Sequence, residues 1–367
     1  MPGLYIHIPF CKAKCRYCDF VSFPVGKCGG GIADIYIDAL KTEILVLKER
    51  YGSGLEFDTI YVGGGTPGIL PPHLIARLFE NLDKNFKISQ GAEITFECNP
   101  ESIDDEKLRI LKDSGVTRLS IGAQSLNDEI LRYLGRVHNS EEIRRKFFAA
   151  REAGFDNINI DLIFGVPGFT VDDWKKDIEN ALALFAPRHI SIYALSIEEG
   201  TELAKKNVKI HEDTQRDMYE SARKILKANG YIHYEISNFA RDKNSECRHN
   251  INYWRTGEYL GLGVAAAGYF NGVRYKNTSS LEEYLRSPAD LSLEEEIIDE
   301  RLARSEKFFL GLRLIDDGVK IDSTDEELYG DEIRRLLLSG LVRRENGFLK
   351  LSPEAAFVSN QVFAEFV

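Results

Sequence analysis

Short runs rich in Ile, Val, Tyr and Phe alternate along this chain with longer segments whose apolar residues recur at helical spacing. Such alternation is the sequence sign of βαβ units around a parallel sheet. Six strands are predicted, at 4–8, 57–62, 93–97, 118–122, 157–164 and 189–194, each leading through a loop to a helix such as 34–50, 72–85 or 171–184. The punctuation agrees. Pro71-Pro72 and Asp172-Asp173 fall at helix starts, and Gly115, Gly154 and Gly230 follow helix ends, where a left-handed cap is wanted. Six consecutive units predict an α/β fold over residues 1–236, a barrel or a partial (β/α)6 TIM-like barrel.

Beyond about residue 237 the pattern changes to short mixed strands and turns, read as a linking region over 237–290 that includes Gly261-Leu262-Gly263. Helices at 293–313 and 325–339, then a strand at 341–345, the turn Asn346-Gly347 and a strand at 348–351, predict a small winged-helix-like α+β domain over 291–367. A module that merely caps the barrel has the same pattern, because fold alone does not give function.

The length of 367 residues suits one large domain plus a smaller one. A formal charge of −11 argues against nucleic acid as a partner, since proteins that grip phosphate backbones carry a basic surplus. No stretch approaches the roughly 18 to 20 apolar residues of a membrane-spanning helix. The amino terminus opens on Leu4-Tyr5-Ile6-His7-Ile8 without a signal pattern. The expectation is a cytoplasmic protein without a transmembrane segment, with peripheral membrane association left open.

Of six cysteines, three fall within eight residues, the pattern of a cytosolic metal site and not of a disulfide framework. Cys11, Cys15 and Cys18 have the spacing C-x-x-x-C-x-x-C directly after the first strand. Three thiolates in one loop can hold three corners of a [4Fe–4S] cluster and leave one iron without a cysteine. A Cys₃His zinc site that includes His7 is the alternative, although zinc commonly draws paired half-sites from two loops.

Gly63-Gly64-Gly65-Thr66-Pro67 follows the second strand, where missing Cβ atoms let a ligand approach the backbone; a tight turn is the plainer reading. Position favours the ligand, because barrels bind at the carboxyl ends of their strands, and Glu97, Gln124 and Asp161 fall at such ends. Asp161 lies inside an apolar run and needs a partner, either a ligand group or a buried ion pair with Arg136.

The segment Tyr5-Ile6-His7-Ile8-Pro9-Phe10-Cys11, with Cys15 and Tyr17-Cys18, resembles the signature of the oxygen-independent coproporphyrinogen III oxidase family of radical SAM proteins. The resemblance continues through Leu119-Ser120-Ile121-Gly122-Ala123-Gln124-Ser125, Gly165-Val166-Pro167-Gly168 and residues 193–201, and so covers most of the chain. It implies a partial (β/α)6 barrel of the radical SAM type, with S-adenosylmethionine chelating the open iron through its amino and carboxylate groups. It further implies that Tyr5, Gly64 and Glu97 bind that molecule. Tyr17, Gly65, Thr66, Gln124, Arg136 and Asp161 match positions that hold a second one in the oxidase branch.

Two departures separate this chain from the oxidases: Phe20 stands where they have one more cysteine, and ten residues precede Cys11 where they have a long segment. Conversely, His249-Asn250-Ile251-Asn252-Tyr253-Trp254, followed by Tyr259-Leu260-Gly261-Leu262-Gly263, resembles the H-N-x-x-Y-W segment of the HemW family. That resemblance implies a heme chaperone, with heme on His249 and apo-hemoproteins such as respiratory enzymes as recipients. Imidazole is a common iron ligand, and Tyr253 and Trp254 could pack on a porphyrin face. A hydrogen-bonded packing histidine is the plainer reading of His249, and Cys247 is a second candidate ligand. The rival functions are a radical oxidoreductase acting on a tetrapyrrole such as coproporphyrinogen III and a binding protein whose cluster is only structural. Cys28 and Cys98 receive no role.

Overall fold

The computed structural model describes residues 1–52, 54–288 and 294–367. All six expected strands are present: β1 (Gly3–Ile8), β2 (Glu56–Gly64), β3 (Lys87–Cys98), β4 (Arg118–Gln124), β5 (Asn157–Phe164) and β6 (His189–Ala194). They lie side by side in chain order, every neighbouring pair parallel. The main crossover helices are α1 (Ile32–Tyr51), α2 (Pro72–Asn85), α3 (Asp105–Asp113), α4 (Ser140–Glu152) and α5 (Val171–Phe185), and α6 (Glu212–Ala228) follows β6.

The two-residue period of the strands explains the layering. Leu4, Ile6, Ile60, Val62, Phe96, Leu119, Ile121, Ile160, Leu162, Ile190 and Ile192 are buried in one core with helix residues such as Leu40, Leu74, Leu108, Phe147 and Ile178. The alternate positions are polar: Tyr61, Glu93, Thr95, Glu97, Arg118, Ser120, Asn159, Asp161, His189 and Ser191. Groups taken from water in this way need partners. Asn159 accordingly donates to Ser120 Oγ at 2.8 Å and to Asp161 Oδ1 at 2.8 Å, and its own Oδ1 lies 2.6 Å from His189 Nδ1.

The sheet extends past the six strands at both edges. β7 (Ile232–Glu235) and β8 (Asn238–Ala240) continue it antiparallel beyond β6. A helix, α7 (Arg248–Trp254), then leads to β9 (Tyr259–Leu262), which runs parallel to β1 and is followed by antiparallel β10 (Ala267–Phe270), β11 (Val273–Lys276) and β12 (Glu294–Ile297). The result is one twelve-stranded open sheet, so residues 237–288 build onto the barrel at both sides.

Residues 294–297 form β12 where a helix from 293 was expected. They pair in register with β11, and the helix α8 (Glu300–Gly311) starts only after Asp299, whose side chain caps Leu302 N. Residue 293 and the expected boundary at 290/291 lie outside the described residues. The small C-terminal part has α9 (Ser323–Leu338) against a sheet of β13 (Val319–Lys320), β14 (Val342–Glu345) and β15 (Phe348–Leu351). Asn346 and Gly347 have φ of 50° and 81°, as a type I′ turn requires. Among the described residues no helix is long and apolar enough to cross a membrane.

Candidate cofactor site

The carboxyl ends of β1 to β6 surround a cavity of about 440 Å³. Of the residues singled out from sequence, Cys11, Cys15, Cys18, Tyr17, Gly64, Gly65, Thr66, Glu97, Gln124, Arg136 and Asp161 all line it. Tyr5 and His249 do not: Tyr5 lies beside the shelf, and His249 belongs to the opposite end of the sheet.

The glycine shelf and the cysteine loop are joined backbone to backbone. Gly65 N donates to Ile8 O at 2.9 Å and Thr66 N to Phe10 O at 2.8 Å. A Cβ on Gly65 would stand 2.8 Å from Phe10 O and 3.0 Å from Cys11 Sγ, closer than side chains pack. Gly64 has φ 111°, and a Cβ there would meet the His7 ring at 2.6 Å. Both glycines are therefore needed for the loop to sit where it does.

His7 cannot complete a zinc site in this geometry. Its Nε2 lies 2.9 Å from Val21 O and its Nδ1 3.0 Å from Tyr5 OH, so the ring ties the loop to the strand and both nitrogens are used. Among the described residues no three His, Cys, Asp or Glu side chains converge on a point that one ion could occupy. Burial pushes the Cys11 and Cys18 thiols up. Counter-charge comes from Arg136, whose Nη1 donates to Cys15 Sγ at 3.2 Å, and Thr66 Oγ1 stands 3.5 Å from Cys11 Sγ. A donor set of three thiols, flanked by a cation and a hydroxyl, fits an anionic iron–sulfur cluster.

The ion pair between Arg136 and Asp161 that the sequence left open is not formed. Arg136 Nη2 donates instead to Asn99 Oδ1 at 2.5 Å and to Gly122 O at 3.0 Å, and Asp161 accepts from Ser120 Oγ and Asn159 Nδ2. Burial raises the Asp161 carboxyl above its ordinary value. Asn99 also donates to Thr66 Oγ1 at 3.0 Å, making it a hub between the shelf and Arg136 that sequence reasoning missed; its one signal was its place directly after β3, ahead of Pro100.

Glu97 accepts from Tyr61 OH at 2.6 Å and from Gly64 N at 3.2 Å. Burial pushes its carboxyl up to about 7, against the pull of the Tyr61 hydrogen bond. Gln124 ends β4 with φ 70°, a left-handed conformation that costs a residue with a Cβ and that recurs at functional sites.

At the other end of the sheet His249 is 1% exposed. Its Nδ1 lies 2.9 Å from Thr59 Oγ1 and its Nε2 2.7 Å from Tyr253 OH. Burial lowers its pKa to about 3, so the ring is neutral. Tyr253 packs against Tyr259, and Trp254 lies under the Arg313 guanidinium at 4.3 Å. Cys247 is fully buried, 3.7 Å from Glu93 Oε1.

Residues 5–181 match the family model of the radical SAM superfamily. The chain is 35% identical to the heme chaperone HemW of Lactococcus lactis over 99% of its own length and 96% of that protein's. It is 34% identical to the heme chaperone HemW of Bacillus subtilis over 100% and 99%. Its fold superposes on coproporphyrinogen III oxidase (HemN) of Escherichia coli, a radical SAM enzyme, with a TM-score of 0.85 at 24% identity, covering 100% of this chain and 90% of that one. With its cysteine loop, glycine shelf and full-length similarity, the chain belongs to the HemW family of the radical SAM superfamily.

Proposed function

We propose that this protein is a heme chaperone, which binds heme and passes it to apo-hemoproteins, respiratory enzymes among them. The observation that carries the reading is the full-length similarity to proteins named heme chaperones, in a chain whose cavity keeps the three thiols, the shelf and Glu97 together. A [4Fe–4S] cluster on Cys11, Cys15 and Cys18 would supply the electron that cleaves the sulfonium of S-adenosylmethionine.

The chain's own groups divide the remaining work. Glu97 takes the amino group of S-adenosylmethionine, and Gly64 and Gly65 let that molecule lie close to the backbone. Arg136 offsets thiolate charge at Cys15. Tyr17, Gln124 and Asp161 bound the rest of the cavity and provide room and polar contacts for a second molecule. His249 is the proposed heme ligand, and in this geometry ligation through Nε2 requires Tyr253 to give up its hydrogen bond. The proposed location is the cytoplasm, with peripheral contact to a membrane where heme is delivered.

Heme titration of the full chain and of His249→Ala tests the reading. A Soret band that forms with the wild type and is weaker or shifted in the variant supports it; no binding by the wild type refutes it. A second reading, radical oxidation of a tetrapyrrole, is favoured by the complete cavity. Conversion of coproporphyrinogen III by the reduced, reconstituted protein would put that reading first.

A further inference from the structure

Glu97 and His249 belong to opposite ends of the barrel lumen, and one side chain bridges them. Tyr61 on β2 gives its hydroxyl to Glu97 Oε1 at 2.6 Å, and its ring lies 5.3 Å from the His249 ring at an interplanar angle of 30°. On another side stands the Tyr5 ring, 6.3 Å away. His249 is itself held in place: both ring nitrogens are bonded, and its backbone N donates to Glu93 Oε1 at 3.1 Å.

We infer that Tyr61 and His249 form one support column beneath Glu97, in which His249 fixes the Tyr61 ring and Tyr61 aims the carboxylate and holds it ionised to accept from the iron-bound amino group of S-adenosylmethionine. His249 is on this account a positioning residue for the cofactor pocket, whatever it does toward heme. The inference rests on the cofactor reading above, in which Glu97 meets the amino group.

The physical ground is the hydrogen bond. A phenol that donates to a carboxylate favours its charged form, and that form is the stronger acceptor for the N–H groups of an iron-bound amine. The other groups facing Glu97 are Tyr5 on β1, the Gly64 N–H on β2, Arg118 on β4, Asp161 on β5 and Tyr193 on β6. Asp161 opposes ionisation, Arg118 and the Gly64 N–H favour it, and Tyr61 is the side chain that bonds Glu97 directly.

The test is equilibrium binding of S-adenosylmethionine to the cluster-reconstituted full chain between about pH 5 and 9, with cluster absorption as the control for folding. In the wild type, affinity falls on acidification as Glu97 takes up a proton. Tyr61→Phe keeps the ring and loses the donor, and is expected to move that midpoint up by about one pH unit, a roughly tenfold weakening on its acid side. His249→Ala moves it the same way, and His249→Phe, which restores a ring without a nitrogen, returns it to the wild-type position. An unmoved midpoint in Tyr61→Phe and His249→Ala overturns the inference, as does a His249→Phe indistinguishable from His249→Ala. Absence of S-adenosylmethionine binding by the wild type at every pH would overturn the cofactor reading and the inference together, a result distinct from either.

Discussion

Glu93 and Glu97 lie four residues apart on one strand, both turned into the barrel, yet they have different surroundings. Glu93 is closed off: it accepts from Cys247 Sγ, Arg248 N and His249 N, and so caps the start of α7. Glu97 has Tyr61 and Gly64 N on one side and the open cavity on the other. Saturation of hydrogen bonds thus separates the two glutamates. At the floor, Glu93 and His249 are paired and hold the fold; at the mouth, thiols, a carboxylate and a strained Gln124 are arranged around space. A buried polar group that still faces a cavity is the one with something left to bind.

The largest effects are expected at the mouth. Replacing any one of Cys11, Cys15 or Cys18 by Ala is expected to abolish the visible absorption of the reconstituted cluster, with little change in thermal midpoint of the apo-protein; a cluster that assembles without one of them would remove the loop as its site. Next come the two glutamates. Glu97→Gln is expected to weaken S-adenosylmethionine binding by about 1.5–3 kcal/mol, the usual worth of a hydrogen bond to a charged group, without destabilising the fold. Glu93→Gln should do the reverse, lowering stability in denaturant titration by about 1–3 kcal/mol while cofactor affinity stays near wild type. Equal behaviour of the two variants would erase the distinction between floor and mouth.

Acid–base behaviour sharpens it further. The carboxyls of Glu97 and of Glu43, which is buried against Tyr284, Gly263 N and Asn277, are both pushed up to about 7 by burial. A raised folded-state pKa means that the folded chain binds the proton more tightly than the unfolded one. The stabilisation is therefore fully present below about pH 4.5 and is lost as pH rises through about 7. His249, held neutral by burial, works in the opposite sense over the same range, so the contribution of Glu97 is read as a difference. Between about pH 5 and 8 the apo-protein should lose of order 1–3 kcal/mol of stability relative to Glu97→Gln. The smallest effect expected is at Arg136: Arg136→Gln removes positive charge beside Cys15, so the cluster should assemble normally but titrate at a more negative potential.

How much of this was legible in the sequence follows from how local each signal is. The six parallel strands could be read from runs such as Ile158 to Ile163, and the cysteine loop from its spacing, because both signals fit in windows of about ten residues. The inward polar row was also written there, as Arg118, Ser120, Gly122, Gln124 and as Asn157, Asn159, Asp161, yet an apolar run around Asp161 drew attention to one residue instead of to the alternation. What stayed hidden was long-range. β9 pairs with β1 across more than two hundred positions, and Asn99 joins Thr66 to Arg136. The Tyr61 ring meets His249 only because α7 folds back under the barrel, and β12 forms from a Glu-rich stretch because β11 offers it an edge. Spacing in one dimension contains none of these contacts.

In the proposed function the thiol trio leaves one iron for S-adenosylmethionine in the cavity beside Glu97. Electron paramagnetic resonance of the reduced, reconstituted protein, recorded with and without S-adenosylmethionine, tests it most directly. The expected result is a cluster signal whose g-values shift when the molecule is added, with Glu97→Gln needing a higher concentration for the same shift. A wild-type spectrum that does not change on addition of excess S-adenosylmethionine would contradict it.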